Sequence, residues 1–104
     1  MNKYGAKKVV IGGEVFDSQK EYRRWCELRL LERARKISLL QRQVKYELIP
    51  KQDGERACCY VADFVYRDDK GNLVVEDCKG FRTDGYKIKR KLMLWVHGIK
   101  IKET

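Results

Sequence analysis

Two stretches decide the fold: Cys59-Tyr60-Val61-Ala62-Asp63-Phe64-Val65-Tyr66, and Leu73-Val74-Val75-Glu76-Asp77-Cys78-Lys79. Both are rich in β-branched and aromatic residues, and a polar turn, Arg67-Asp68-Asp69-Lys70-Gly71-Asn72, separates them. That pattern predicts a β-hairpin. A three-residue loop, Asp69-Lys70-Gly71, puts Gly71 where positive φ is needed. Asp68 then faces Asn72, Val65 faces Val75, and Asp63 faces Asp77. Side chains alternate along a strand, so Asp77 and Lys79 share a face, while Glu76 points the other way and reads as structural. Two carboxylates directly opposite each other repel. A bound divalent cation turns that liability into a site, and a lysine beside such a pair points to phosphodiester hydrolysis.

The rest of the chain sets the context. Its 104 residues fit one small domain, and a hydrophobic content of 43% is enough for one core. The net charge of +9 and a pI near 9.5 favour a polyanionic partner, nucleic acid ahead of an anionic membrane surface. The cysteines are Cys26, Cys58, Cys59 and Cys78, with no CxxC spacing, and the single histidine is His97. That set argues against a zinc site and reads as free thiols in a reducing cytosol. Val9-Val10-Ile11 is too brief an apolar run for a signal peptide or a membrane span, so a cytoplasmic location is expected.

Residues 1–13 read as a basic arm ending in Gly12-Gly13, and residues 14–104 as a single domain. Ser18-Gln19-Lys20-Glu21 matches a capping box and starts a helix that runs to about Lys36, with an apolar stripe from Tyr22, Trp25, Leu28, Leu31 and Ala34. Gln43 to Ile49 alternates polar and apolar residues and predicts a strand. After the hairpin, Gly80 ends the second strand. Thr83 or Asp84 caps a second helix that runs through His97 to Gly98. Ile88, Leu92 and Trp95 are expected to face the core, with Lys87, Arg90 and Lys91 outside. Ile99-Lys100-Ile101 fits a last edge strand. The order α-β-β-β-α-β predicts an α/β domain with a mixed β-sheet flanked by helices.

Val61-Ala62-Asp63 followed by Glu76-Asp77-Cys78-Lys79 resembles the PD-(D/E)xK nuclease superfamily. The wider run FDSQKEYRRWCELRLLERA…LQRQVKYELIP…YVADFVY…VVEDCKG…YKIKRKLM resembles a small phage-encoded endonuclease branch of it, over roughly residues 14–103. The resemblance implies a restriction-endonuclease-like core and a metal-dependent endodeoxyribonuclease. Its substrate would be double-stranded or branched DNA, as for a junction resolvase in phage recombination or DNA processing. Asp63 takes the place of the first acidic ligand, with Ala62 where the motif has proline. Asp77 matches the second acidic position, Lys79 the lysine, and Glu21 the glutamate on the first helix. The backbone carbonyl of Cys78 adds a ligand in such relatives, and Gln43 lines the same site.

The chemistry suits Mg²⁺, with Mn²⁺ as a substitute, because hard oxygen ligands hold such ions. Lys79 would stabilise developing negative charge or orient the attacking water. Tyr86, Lys87, Lys89, Arg90 and Lys91 follow within a few residues and would contact DNA phosphates. A homodimer would allow two strands to be cut, and a phage-encoded enzyme would act in the host cytoplasm.

Each assignment has a plainer counterpart. Glu21 completes the capping box whether or not it also holds metal. Asp63 could be salt-bridged to Lys79 or an arginine. Asp77 and Lys79 could lie at a solvated strand end, and the lysines of the second helix on a solvated face. A non-catalytic nucleic-acid-binding module with the same fold is the alternative function.

Overall fold

A computed structural model describes residues 7–78 and 81–104. The elements run β1 (Val9–Ile11), β2 (Glu14–Phe16), α1 (Gln19–Arg33), β3 (Ser38–Ile49), β4 (Cys58–Arg67), β5 (Leu73–Asp77), α2 (Asp84–His97) and β6 (Lys102–Glu103). The main sheet is ordered β3-β4-β5-β6, antiparallel except for the parallel β5-β6 pair, and β1-β2 form a separate hairpin. This is an α/β fold with a mixed sheet flanked by helices.

The β4–β5 hairpin has the predicted register, with Val65 opposite Val75 and Phe64 opposite Glu76. Its loop closes through the Asp68 N–H, which donates to the Asn72 carbonyl at 2.9 Å, and Gly71 takes φ 82°. The Asp68 carboxylate accepts from the N–H groups of Lys70 and Asn72 at 2.9 and 2.8 Å, so the turn is held from inside. β5 is described as far as Asp77. Lys79 and Gly80, where the sequence reading ends that strand, lie outside the described residues, as do residues 1–6 of the expected arm.

Residues 9–16, which span the end of the expected arm and the start of the expected domain, form a hairpin. Gly12 and Gly13 both have positive φ, 57° and 85°, which two-residue hairpin loops require, and Ile11 pairs with Glu14 across them. Ser18 caps α1 as predicted, its hydroxyl accepting from the Glu21 N–H at 3.1 Å. The helix stops at Arg33, short of Lys36, and Arg35 turns the chain out through φ 59°. β3 starts at Ser38, earlier than Gln43, because Leu39 and Gln43 interrupt the alternation with φ 55° and 54°. The last strand is Lys102–Glu103 rather than Ile99–Ile101, and Ile101 is spent on the core.

Two apolar cores lie on opposite sides of the sheet. Leu48, Tyr60, Ala62, Val65, Val75 and Met93 pack on the α2 side. Leu28, Ile37, Phe64 and Tyr66 pack on the α1 side, with Trp25 stacked on Phe64 at 6.1 Å. Leu28, Phe64 and Met93 are fully buried, and each such side chain contributes about 1.5–3 kcal/mol of transfer free energy. Strict alternation would put Ala62 and Phe64 on one face. They pack in different cores, whereas Ala62 and Val65 share one. The strand therefore exchanges its faces at Asp63, between the pairs Val44–Ala62 and Arg42–Phe64, where the partner strand carries the left-handed Gln43.

The buried face of α2 differs from the expected one. Tyr86 and Met93 are buried, whereas Ile88 is 58% and Trp95 83% exposed, and Leu92 is half-buried. Two apolar stripes run along this helix two positions apart, about 200° around the axis. Tyr86 decides between them, because its ring meets Tyr60 at 6.4 Å and its hydroxyl donates to Glu103 at 2.8 Å. Gly98 ends the helix in the left-handed region, its N–H bonded to the Leu94 carbonyl at 3.0 Å. No helix among the described residues is long and apolar enough to cross a membrane.

Candidate functional site

The site grows from the N-terminus of α1. Ser18 caps the helix and fixes Glu21 in the first turn, where the Glu21 side chain turns inward and is 2% exposed. Its Oε2 accepts from the Asp17 N–H at 3.3 Å, one residue before the N–H that a standard capping box uses. Capping and site-building thus fall to the same carboxylate. Arg42 of β3 reaches over it: Nη2 lies 3.5 Å from Glu21 Oε2 and donates to the Val15 carbonyl at 2.9 Å. Arg42 Nη1 is 3.4 Å from Glu14, and the guanidinium lies 3.8 Å above the Phe16 ring.

Asp63 reaches the same place from β4. It is 7% exposed, at the point where the strand exchanges its faces. Its Oδ2 accepts from the Cys78 N–H at 2.8 Å, and its Oδ1 faces the Gln43 amide at 3.4 Å. Oxygens of Asp17, Glu21 and Asp63 lie within 4.8 Å of one another. In an octahedral Mg²⁺ shell, cis ligand oxygens are about 3 Å apart and trans ones about 4.2 Å, given bonds of 2.0–2.1 Å. Three carboxylate oxygens gathered within this distance could hold such an ion.

Asp77 is 1% exposed and does not join that trio. It follows Val75 and Glu76 in strict alternation, so it shares the α2 side with Val75. The Tyr60 hydroxyl donates to its Oδ2. Burial, then that hydrogen bond, push the Tyr60 hydroxyl well above its ordinary pKa, so it stays a donor. Glu76 is buried on the other face as a structural group: the Arg24 guanidinium grips it in bidentate fashion at 2.9 and 2.7 Å, and the Tyr66 hydroxyl donates to it. Burial would raise the Glu76 pKa. The bonds from Arg24 and Tyr66 outweigh it and hold the carboxyl below its ordinary value.

Cys78 touches the site through its N–H and has a half-buried free thiol, raised in pKa chiefly by burial, with Asp63 and Glu21 pushing the same way. Gln43 is exposed, and its amide lies 3.4 Å from Asp63 Oδ1. The expected DNA contacts on α2 divide. Tyr86 is 6% exposed and bonded to Glu103, a core residue rather than a phosphate ligand. Arg90 does not face freely outward; it pairs with Glu103 at 3.1 Å. Lys87 and Lys91 are exposed and Lys89 half-buried. Lys79 lies outside the described residues. Sequence reasoning missed Asp17 and Arg42. The signal for Asp17 was an acidic residue directly before the capping box. Arg42 gave none, because its role depends on how β3 crosses α1.

What the fold and site define is an α/β protein with a carboxylate cluster where the first helix meets the centre of a mixed sheet. The chain belongs to the family described as "Protein of unknown function (DUF1064)", whose model matches residues 1–102. No curated protein and no solved structure matches the chain.

Proposed function

We propose that this protein is a divalent-cation-dependent endodeoxyribonuclease of the PD-(D/E)xK type, acting on double-stranded or branched DNA. The observation that carries the reading is the meeting of Asp17, Glu21 and Asp63 within 4.8 Å, in a chain whose net charge is +9. A basic protein that concentrates carboxylates at one point has use for a cation there, and the rest of its surface suits a polyanion.

Asp63 and Glu21 supply buried oxygens for Mg²⁺ or Mn²⁺, and Asp17 supplies one from the rim. When bound, the cation polarises a phosphoryl oxygen and lowers the pKa of a coordinated water. Asp77, fixed by the Tyr60 hydroxyl, adds negative charge behind the site, and the Cys78 carbonyl completes the expected ligand set. Lys79 stabilises the charge that develops on the phosphate. A homodimer acting in the cytoplasm of a phage-infected host is the setting that goes with this reading.

The test uses linear, branched and single-stranded DNA in Mg²⁺, Mn²⁺ or EDTA. Cleavage is expected with either cation and absent in EDTA. Asp63→Asn, Asp77→Ala and Lys79→Ala should each lower the rate about a hundredfold or more while keeping the circular dichroism of the parent. Full activity in the Asp77 and Lys79 variants discards the mechanism. Salt-sensitive DNA binding with no cation effect and no cleavage assigns the non-catalytic module instead.

A further inference from the structure

The reading of the site leaves open which surface holds the DNA backbone. A groove of about 410 Å³ runs between α1 and the β5–β6 end of the sheet, lined by Lys20, Arg23, Arg24, Glu27, Cys78 and Lys102 together with Thr104. It adjoins the carboxylate trio. Lys20 precedes Glu21 in the first turn of α1, and the Cys78 N–H is bonded to Asp63.

The charges in this groove are unevenly spent. Arg24 is committed to Glu76 at 2.7 Å and Glu27 at 3.1 Å. Lys20, Arg23 and Lys102 are exposed and make no ion pair among the described residues. The parallel register explains how Lys102 comes to be there. It pairs with Glu76, and its neighbour Glu103 pairs with Asp77. Alternation along β6 therefore sends Lys102 to the α1 side and Glu103 to the α2 side. Glu103 neutralises that side by binding Arg82 at 3.0 Å and Arg90 at 3.1 Å. The two-residue strand thus sends an exposed cation, with no ion pair among the described residues, to one face and a bound carboxylate to the other.

We infer that the phosphodiester backbone of the DNA lies in the α1–β6 groove, held by Lys20, Arg23 and Lys102, rather than over α2. This inference rests on the nuclease reading for its ligand. Lys20 and Arg23 are three apart and neighbours on one helix face, and the N-terminal end of α1 adds its partial positive charge. Phosphates seated there lead directly to the carboxylate trio.

The experiment is a salt series of DNA binding by fluorescence anisotropy, with a labelled duplex and a labelled four-way junction, in EDTA so that nothing is cut. The parent protein is compared with Lys20→Ala/Arg23→Ala/Lys102→Ala and with Lys87→Ala/Lys91→Ala. Each lost phosphate contact lowers the slope of log K against log salt by about 0.9, so the groove variant should lose about 2.7. Its binding at 0.1 M salt should weaken on the order of a hundredfold or more. The charge-retaining Lys20→Arg/Arg23→Lys/Lys102→Arg variant should keep the parent slope. A larger slope loss per residue in the α2 variant than in the groove variant overturns the inference and leaves the nuclease reading standing, because cation-dependent cleavage is measured separately. Absence of DNA binding by the parent overturns both.

Discussion

Two carboxylate centres, one on β5 and one gathered from α1, β4 and the residue before Ser18, are built on opposite terms. Glu76 is fully enclosed, and a bidentate arginine and a tyrosine hydroxyl match its charge. A few residues away, Asp17, Glu21 and Asp63 bring three carboxylates together, and Arg42 approaches Glu21 at 3.5 Å while also serving Glu14. Burying an ion is costly unless its partners are close and complete. The first centre meets that condition inside the fold. The second instead draws three carboxylates to one point, the arrangement on which the proposed cation site rests. Paired charge here marks architecture, and clustered like charge marks the candidate for function.

The comparison can be broken most severely at Arg24. Arg24→Ala strands Glu76 in the α1-side core, and the expected loss is about 3–5 kcal/mol of unfolding free energy by urea titration. A loss below about 1 kcal/mol would mean that water reaches Glu76 and that the two centres are less different than their burial implies.

Arg42 sharpens the comparison from the other side. Arg42→Gln should cost about 1.5–3 kcal/mol in EDTA, the range for hydrogen bonds to charged groups, because the trio is left with less compensation. Mg²⁺ at a hundred times its dissociation constant then adds about 2.7 kcal/mol, and the apparent Mg²⁺ affinity of the variant should exceed that of the parent. Urea titrations with and without Mg²⁺ read both effects. Equal stability in EDTA, with no tighter Mg²⁺ response, removes Arg42 from the site.

The smallest effect concerns Glu103. Burial would raise its pKa, but the bonds from Tyr86, Arg82 and Arg90 outweigh that and lower it from 4.5 to about 2. A carboxyl depressed in the folded state stabilises above its unfolded pKa, and that contribution fades as pH falls through the folded value. The advantage of the parent over Glu103→Gln should therefore be complete above pH 4.5 and vanish as pH approaches about 2. Urea midpoints across that window check it, and a pH-independent difference would show that Glu103 acts by packing alone.

Much of this arrangement was legible in the residues. The β4–β5 register followed from Gly71 and the two strand patterns, and the helix limits from Ser18, Thr83 and Gly98, because these signals act over a few residues. Glu21 was placed correctly by the capping box, and it serves both as cap partner and as part of the trio. The buried face of α2 was not legible. Tyr86 and Met93 share the same spacing as Ile88 and Trp95, so periodicity could not choose, and the choice fell to contacts with Tyr60 and Glu103. The exchange of faces at Asp63 was likewise hidden, since it depends on a left-handed glutamine in the neighbouring strand. That exchange brings Asp63 to Glu21 and Asp17.

The exposed placement of Trp95 has a practical consequence. The only other indole, Trp25, is half-buried, stacked on Phe64 and 5.6 Å from the Arg42 guanidinium, whereas Trp95 stands 83% open to solvent. A collisional quencher in the buffer silences the outer fluorophore and leaves the inner one shining beside the carboxylates. The molecule thus carries its own optical gauge, and an ion titration can be followed with no dye attached.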